Sequence, residues 1–445
     1  MTTRRTLLAR RPLLAGGAAA LSALAACGAP RSEAPAQTRP AGKLEFYDWW
    51  LPASSPLQDA WWKFVKEDFE RKNPGVTVEF NFISGTSGVR DKLKTAAAAD
   101  TPPDGSHASV AFVRSLWDAG LLEDLTPYAA KTPDVSMNRF LDAALFYNQK
   151  SGKVYGLPME GPDADAFFYN KSHFQEVGLD PASDKTSRWT YDDLIAAATK
   201  LTKGSGPDVL RRGLLPHGIS TGNVAAWLYT NGATWYGKDN LSVAFNTPQG
   251  VQVIEYLLDL RKRFPEPPSF AGLSGDQQFY QQKTSIVPQG NYNVHVVRSF
   301  APEVEFDMMP LPKGPAGKSP STKVWMNQVI MPKNAKRKDL GWLFMAYYAG
   351  KEVIAKRMTL LNRMGPRKDF FESNEWKEET KKIPALNQAP KIAAAAGQYP
   401  FIMYSEVDEV IAPIFTKIQG GAIGARDGLA EIEREANRVL GQQPR

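Results

Sequence analysis

The stretch Tyr155–Lys171, YGLPMEGPDADAFFYNK, decides how this chain is read. It opens as a short apolar run stopped by Pro158, passes through a Gly/Pro/Asp segment unsuited to helix or regular strand, and resumes as the aromatic run Phe167–Tyr169. A polar, constrained loop between two apolar strands reads as a crossing between two structural units. Everything before it would build one lobe, much of the chain beyond it a second, and the crossing itself would floor a ligand cleft.

Upstream, Leu44–Trp50 reads as a short aromatic strand. Ser55-Pro56 opens a helix carrying Leu57, Trp61, Phe64, Val65 and Phe69 on one face, and Asn73-Pro74-Gly75 stops it. Val76, Val78, Phe80 and Phe82 then alternate as a half-buried strand. Strand, helix and strand in close succession predict a parallel sheet with right-handed crossovers. A helix from Ser84–Ser87 to about Ala99, the loop Thr101-Pro102-Pro103-Asp104 and a strand Ala108–Phe112 continue the pattern. Downstream, Thr247–Arg263 and Gly428–Leu440 read as helices.

The first residues read differently. Arg4, Arg5, Arg10 and Arg11 precede the apolar run Leu13–Ala26, which has the length of a signal-peptide core and is too short for a stable membrane span. The run ends in Leu24-Ala25-Ala26-Cys27, matching the lipobox of bacterial lipoproteins, and Cys27 is the only cysteine. Residues 1–26 are therefore expected to be a lipoprotein signal peptide, with Cys27 lipidated; an ordinary signal peptide with a chance cysteine is the alternative. Thr3–Leu8 also looks like a weak twin-arginine export signal. Residues 27–42, rich in Pro and Ala, read as a flexible tether. Setting aside those four arginines leaves 50 basic against 47 acidic side chains, so the formal +7 falls to +3 and gives little reason to expect nucleic acid as a partner. A single cysteine makes no internal disulfide, so an exported fold must stand on its core.

Several further segments join the crossing in one collinear order: FERKNPGVTVEF, the Pro-Asp before a short strand, WDAGLLEDLTPY, YGLP, FFYNKSHFQEVGLDP, RWTYDDLIAAATKL, NGATWYGKDN, FYQQKTSIVPQGNY, FDMMPLPKGPAGK and VIMPKNAKRKDLGWLFMAYYAGKEV. In that order they resemble the extracellular solute-binding proteins of family 1, the sugar-capture components of ABC importers, from about Lys43 to Gly365. Gly105-Ser106-His107 stands where the family often has a hydrophobic residue. Trp325-Met326-Asn327 stands where a Gly-Gly pair is frequent.

The resemblance implies an α/β, two-lobed periplasmic-binding-protein fold, each lobe a mostly parallel sheet flanked by helices, with three hinge crossings. Lobe one would comprise residues 43–160 and 290–348, lobe two residues 161–289 and 349–440. It further implies an extracytoplasmic monomer, lipid-anchored to the membrane, that closes on a carbohydrate and delivers it to permease subunits served by a cytoplasmic ATPase.

A sugar presents hydroxyls at its rim and apolar C–H faces, so its site needs flat aromatics beside hydrogen-bonding side chains. Trp49 and Trp50 end the first strand, where ligands bind in open parallel sheets, and alternation lets only one of them reach a cleft. Thr86 and Ser87 are helix N-cap candidates as well as ligand contacts. Asp104 and His107 flank the next strand. Glu160, Asp163 and Asp165 lie on the crossing. Trp235 is the favoured stacker of the pair Trp235 and Tyr236, whereas Trp227 suits a buried helix face. Asn291 and Tyr292 follow Gly290, where the family usually has an aromatic. Trp325 and Asn327 sit at the third junction, and Arg363 and Arg367 bracket Met364-Gly365-Pro366.

Other chemistries fit less well. The crossing carboxylates could serve a glycoside hydrolase, yet carboxylates on a turn more often accept hydroxyls or face solvent. The four histidines are scattered, so neither a metal nor a cofactor is expected, and no enzymatic activity is. Gly314–Ser319 only superficially resembles a phosphate loop. A phosphorylated polyol, such as glycerol phosphate or a glycerophosphodiester, remains the second ligand class, with Arg363, Arg367 or His107 meeting the phosphate.

Overall fold

The computed structural model describes residues 40–110, 112–145, 148–237, 242–396 and 405–441. The expected signal peptide, Cys27 and nearly all of the tether lie outside them.

The opening follows from sequence. Strand β1 (Gly42–Asp48) pairs in parallel with β2 (Val76–Phe82), placing Phe46 opposite Phe80. Between them, helix α1 (Pro56–Lys72) begins at Ser55, whose hydroxyl accepts the Gln58 N–H at 3.1 Å, with Pro56 at its first position. It buries Trp61, Trp62, Val65 and Phe69. Helix α2 (Gly85–Ala98) leads to β3 (Gly105–Ser109), again parallel to β1. This strand starts earlier than Ala108, because Gly105 and Ser106 find partners in Phe46 and Tyr47 while Phe112 already caps a following helix.

The crossing stretch is not a loop. It is one strand, β4 (Leu157–Asn170), buried along all 14 residues. Strands β5 (Arg212–Leu214), β6 (Thr284–Gly290), β7 (Phe306–Met309) and β8 (Val324–Ile330) complete an eight-stranded sheet in the order β2-β1-β3-β8-β4-β6-β5, with β7 also on β4. Pairing is parallel for β1 with β2 and β3 and for β5 with β6, and antiparallel wherever β4 or β8 takes part. The Gly/Pro/Asp segment forms a strand because β8 supplies partners, with Val324 opposite Ala164 and Val329 opposite Leu157, through two register shifts near Asn327.

Strand β4 also joins the cores. Leu157 and Met159 pack with Phe46, Trp61, Phe69 and Phe344 in lobe one, whose sheet is covered on its other face by Val89, Leu93 and Leu116. Beyond the crossing, Phe167 and Tyr169 enter a second core, while Phe168, between them, enters a third with Val287 and Met308, as a period of two requires. The second core is filled by α3 (Thr221–Thr230), α4 (Pro248–Arg263), α7 (Ser405–Gln419) and α8 (Ala425–Leu440) through Trp227, Val253, Phe415 and Leu429. Helix α5 (Lys338–Tyr348) packs Leu340, Phe344 and Tyr348 against Phe46 and Trp61. Helix α6 (Lys351–Leu361), assigned to lobe two from sequence, divides its buried face, giving Val353 and Leu361 to lobe one and Ile354 and Met358 to the third core.

Away from the sheet, α2 touches α7 through ion pairs. Arg90 Nη2 lies 3.1 Å from Glu409 Oε1, and Lys94 Nζ 2.9 Å from Glu406 Oε1.

Candidate functional site: the crossing strands

At the carboxyl end of β1, Asp48 is fully buried. One oxygen accepts the Trp50 N–H at 2.7 Å and the other lies 3.0 Å from His107 Nδ1. A carboxylate only accepts, so this fixes the imidazole with its proton on Nδ1. The Trp49 indole stacks on that imidazole at 3.5 Å between centroids, and Trp50 meets it edge-on at 4.8 Å. Trp49 stays half-buried and Trp50 is buried, so one of the two is partly open, as expected.

The crossing carboxylates are each claimed by neighbours. Glu160 is ion-paired to Arg363 and accepts Asn327 Nδ2 at 2.8 Å, a contact set by the register that puts Asn327 opposite Glu160. The Arg363 guanidinium in turn lies 4.3 Å over the Trp50 ring. Asn291 donates to Asp163 at 2.8 Å and accepts the Ala164 N–H at 2.6 Å. Asp165 binds Lys323 and accepts Trp325 Nε1 at 3.1 Å, while the Lys323 ammonium sits 4.0 Å over the Trp325 ring. Residues from β4, β8, the end of β6 and the segment after α6 thus meet in one polar layer. Tyr292, Trp325, Asn327 and Arg363 are half-buried around it.

Two glycines make the layer possible. Gly161 has φ +96°, and a Cβ there would stand 2.8 Å from the Trp325 carbonyl oxygen and 2.9 Å from the Asp163 nitrogen. At Gly290 a Cβ would fall 2.0 Å from the Tyr292 ring, so the tyrosine covers backbone.

Burial drives the Asp163 carboxyl well above the usual range, and the neighbouring Glu160 charge pushes the same way. Burial also opposes ionisation of Glu160, but Arg363 and Asn327 outweigh it and hold Glu160 below its ordinary value. Burial lowers the Lys323 ammonium, with Asp165 opposing. Glu160 and Asp165 are thereby balanced by Arg363 and Lys323, and Asp163 favours its neutral form.

Because the folded-state value of Asp163 is raised, its stability contribution is full below the unfolded carboxyl value, ~3.9, and is lost as pH rises. Asp163→Asn keeps an acceptor for Asn291 and cannot ionise. Its melting temperature is expected to match the wild type near pH 4 and to exceed it increasingly toward pH 8. An unchanged difference across that range, read by differential scanning calorimetry, would contradict the shared-charge picture.

Some sequence candidates lie elsewhere. Asp104 stands before β3, at the sheet edge opposite the carboxyl ends, where it accepts the Glu45 N–H at 2.9 Å and pairs with Arg337 at 2.9 Å. Trp235 is 1% exposed and stacks on Phe245 at 4.4 Å between centroids, so it is a core residue and not a ligand platform. Its neighbour Tyr236 is buried with it. Thr86 and Ser87 lie in the first turn of α2, whose N-cap is Ser84; Thr86 is half-buried and Ser87 exposed. Arg367 is held by Asp134 and Asp369 beside Phe140.

Sequence reasoning missed Lys323, Asp48 and Gly222, whose Cβ would lie 3.6 Å from Trp325 Cζ2. Lys323 is within its reach, because it stands just before the strand and two residues ahead of Trp325, the spacing that puts two side chains on one face.

Known proteins share this architecture. Residues 54–355 match the profile of the bacterial extracellular solute-binding proteins. A Brucella abortus protein is 28% identical over 298 residues, 66% of this chain and 69% of that protein. The arabinooligosaccharide-binding protein of Bacillus subtilis is 24% identical over 372 residues, 80% of each. The ABC substrate-binding protein of Listeria monocytogenes, solved in complex with cycloalternan, superposes with a TM-score of 0.76 at 19% identity, over 90% of this chain and 100% of the other. With the match spanning both lobes and the crossing, the chain belongs to the bacterial extracellular solute-binding proteins, whose work is to hold a solute and not to transform it.

Proposed function

We propose that this protein captures a neutral sugar or oligosaccharide between its lobes and, by hinge closure, presents it to the permease of an ABC importer. The observation that carries the reading is the charge-balanced layer bordered by the half-buried rings of Tyr292 and Trp325. Flat rings border amides and carboxylates, while both cations, Arg363 and Lys323, are taken by carboxylates. A phosphate would have to displace one of them. Of the other phosphate candidates, Arg367 is occupied at Asp134 and Asp369, and His107 is fully buried against Asp48. Carbohydrate-binding relatives support the same choice. Closure would favour the state in which both lobes touch the ligand, by the free energy of contacts that state alone provides. Of the lobe bounds read from sequence, 43–160 with 290–348 and 161–289 with 349–440, the segment around β7 and Leu311 is proposed to belong instead with lobe two, since it pairs with Phe167–Asn170 and packs with Trp227, while α6 shares its buried face with lobe one. Export with lipidation at Cys27 would tether the binding unit to the membrane, and Cys27→Ser is expected to release it into the soluble fraction.

A thermal-shift panel of neutral oligosaccharides and glycerophosphodiesters tests the ligand class. A ligand at 100 times its Kd stabilises by about 2.7 kcal/mol and raises the melting point. A response confined to the glycerophospho compounds would replace the sugar reading.

The pairs between α2 and α7 bear on closure. Partly exposed ion pairs contribute about 0.2–1 kcal/mol each. Arg90→Gln with Lys94→Gln is therefore expected to speed sugar release by about 2- to 30-fold. The same change should flatten the salt dependence of release, followed by stopped-flow tryptophan fluorescence. Unaltered release kinetics would assign those pairs no part in closure.

A further inference from the structure

Helix α6 sends a further arginine to the crossing, ahead of Arg363. Arg357 is 1% exposed; its Nη1 donates to the Met159 carbonyl of β4, and its Nη2 donates to the Tyr348 carbonyl at the end of α5 at 3.3 Å. The guanidinium lies 4.9 Å over the Trp61 ring and 4.7 Å over that of Tyr348. Its Nε has no partner, and among the described residues no carboxylate is paired with it. For stability alone an apolar side chain of similar volume would serve as well. What the guanidinium adds is direction, since one rigid fork holds two carbonyls on different elements. The neighbouring contacts run the same way. Arg363 holds Glu160, and the Gly161 N–H donates to the Met364 carbonyl at 3.1 Å, so three consecutive residues of β4 are gripped by the segment 357–364. The other face of α6 differs in kind. Ile354 and Met358 pack into the third core, and Gly365 lets that packing close, since a Cβ there would stand 2.4 Å from Ile354 Cγ2. Those contacts are apolar and have no preferred direction.

We propose that Arg357 is a positioning residue of the hinge, a clasp that fixes α6 to the Met159 carbonyl so that the helix travels with the core around Trp61 and Phe344. Closure is then taken up on the other face of α6, as sliding of Ile354 and Met358 over the third core. Packed helices slide by small amounts at apolar faces, whereas a charge-assisted bond to a fixed carbonyl must break before its partners separate. The clasp also reaches the polar layer, because the carbonyl that Arg357 holds belongs to the peptide unit carrying the Glu160 N–H, and turning one turns the other. The sliding rests on the hinge-closure reading; the clasp does not.

The test uses the full chain and two measurements. Hydrogen exchange read by mass spectrometry compares Arg357→Met, which loses the donors, with Val353→Ala, which loosens the same helix in the same core without touching the clasp. Arg357→Met is expected to speed exchange about 10-fold or more both in α6 and at the Gly161 amide, and Val353→Ala in α6 alone. Exchange at Gly161 no faster in Arg357→Met than in Val353→Ala would overturn the clasp. Should Arg357→Met not fold, Arg357→Lys decides the same point, because an ammonium is not a fork that spans both carbonyls. Faster exchange at Gly161 than in Val353→Ala then supports the clasp, and equal exchange overturns it. In a Cys27→Ser chain, spin labels at Lys92→Cys on α2 and Arg434→Cys on α8, both exposed positions, report the spacing of the lobes by double electron–electron resonance. Without ligand, the distance distribution is expected to broaden in Arg357→Met. An unchanged distribution, where the wild type shifts with maltotriose, mannotriose or arabinotriose, would overturn the hinge role and leave closure standing. A sugar that raises the melting point but leaves the wild-type distribution unmoved would overturn hinge closure itself, while exchange at Gly161 still decides the clasp.

Discussion

Arg363→Met is expected to lower the stability of the folded chain by about 3–5 kcal/mol, because it strips the fully buried Glu160 of its ion-pair partner. The loss should exceed that of most single substitutions, which lie between about 0.5 and 3 kcal/mol. Three separate contacts disappear at once: the ion pair to Glu160, the guanidinium over Trp50 and the field that Arg363 exerts on Asp163. Urea denaturation at neutral pH measures the change through the transition midpoint. Glu160→Gln in the same chain removes the stranded charge, and the double variant should regain most of the loss. A double variant no better than Arg363→Met would mean that packing on Trp50, and not charge, is what the arginine supplies. The ligand response should fall with either single change, since Glu160 and Asn327 orient each other beside the half-buried rings.

Gly161→Ala carries the second large effect. The residue sits at φ +96°, where a side chain is strained by about 1–3 kcal/mol. In addition its Cβ would press on two backbone atoms, the Trp325 oxygen and the Asp163 nitrogen, neither of which can swing aside as a flexible side chain would. A total of about 2–4 kcal/mol is expected, with the β4–β8 ladder displaced at the point where Asp163 and Trp325 pair. Amide hydrogen exchange should report faster exchange along Val324–Gln328 in the variant. Gly421→Ala, at a similar positive φ but with nothing within 4 Å of its Cβ, is the control for strain alone. Equal losses in the two variants would remove the steric half of the argument.

Where the sequence pattern and the local physics agree, the fold can be read directly. Alternation in Val76–Phe82, the cap at Ser55 and the stop at Asn73 are short-range signals, and the structure obeys each of them. The crossing is legible as the junction of the lobes, yet its strand character is hidden. Pro158, Gly161 and Pro162 argue locally against a strand, and only the distant β8 overrides them. Site residues divide in the same way. Glu160, Asp163, Asp165, Asn291, Trp325, Asn327 and Arg363 do converge, because the crossings bring them together. Trp235 and Asp104 cannot be sorted without tertiary contacts, since a tryptophan near Asn-Gly and an aspartate before a strand have the same local appearance whether they face a ligand, Phe245 or Arg337. Lys323 escapes notice because a lysine beside a tryptophan-bearing strand usually faces water.

The unbroken β4 has a mechanical corollary. A domain pair strung on slack linkers swings freely, whereas here the lobes share one hydrogen-bonded sheet with β4 running through it. Any change in the angle between them must be absorbed as bend and twist of a paired ribbon, most cheaply where the β4–β8 register already slips beside Asn327. The molecule then behaves as a leaf spring with a resting angle, and a ligand works against its elastic return as well as for its own contacts.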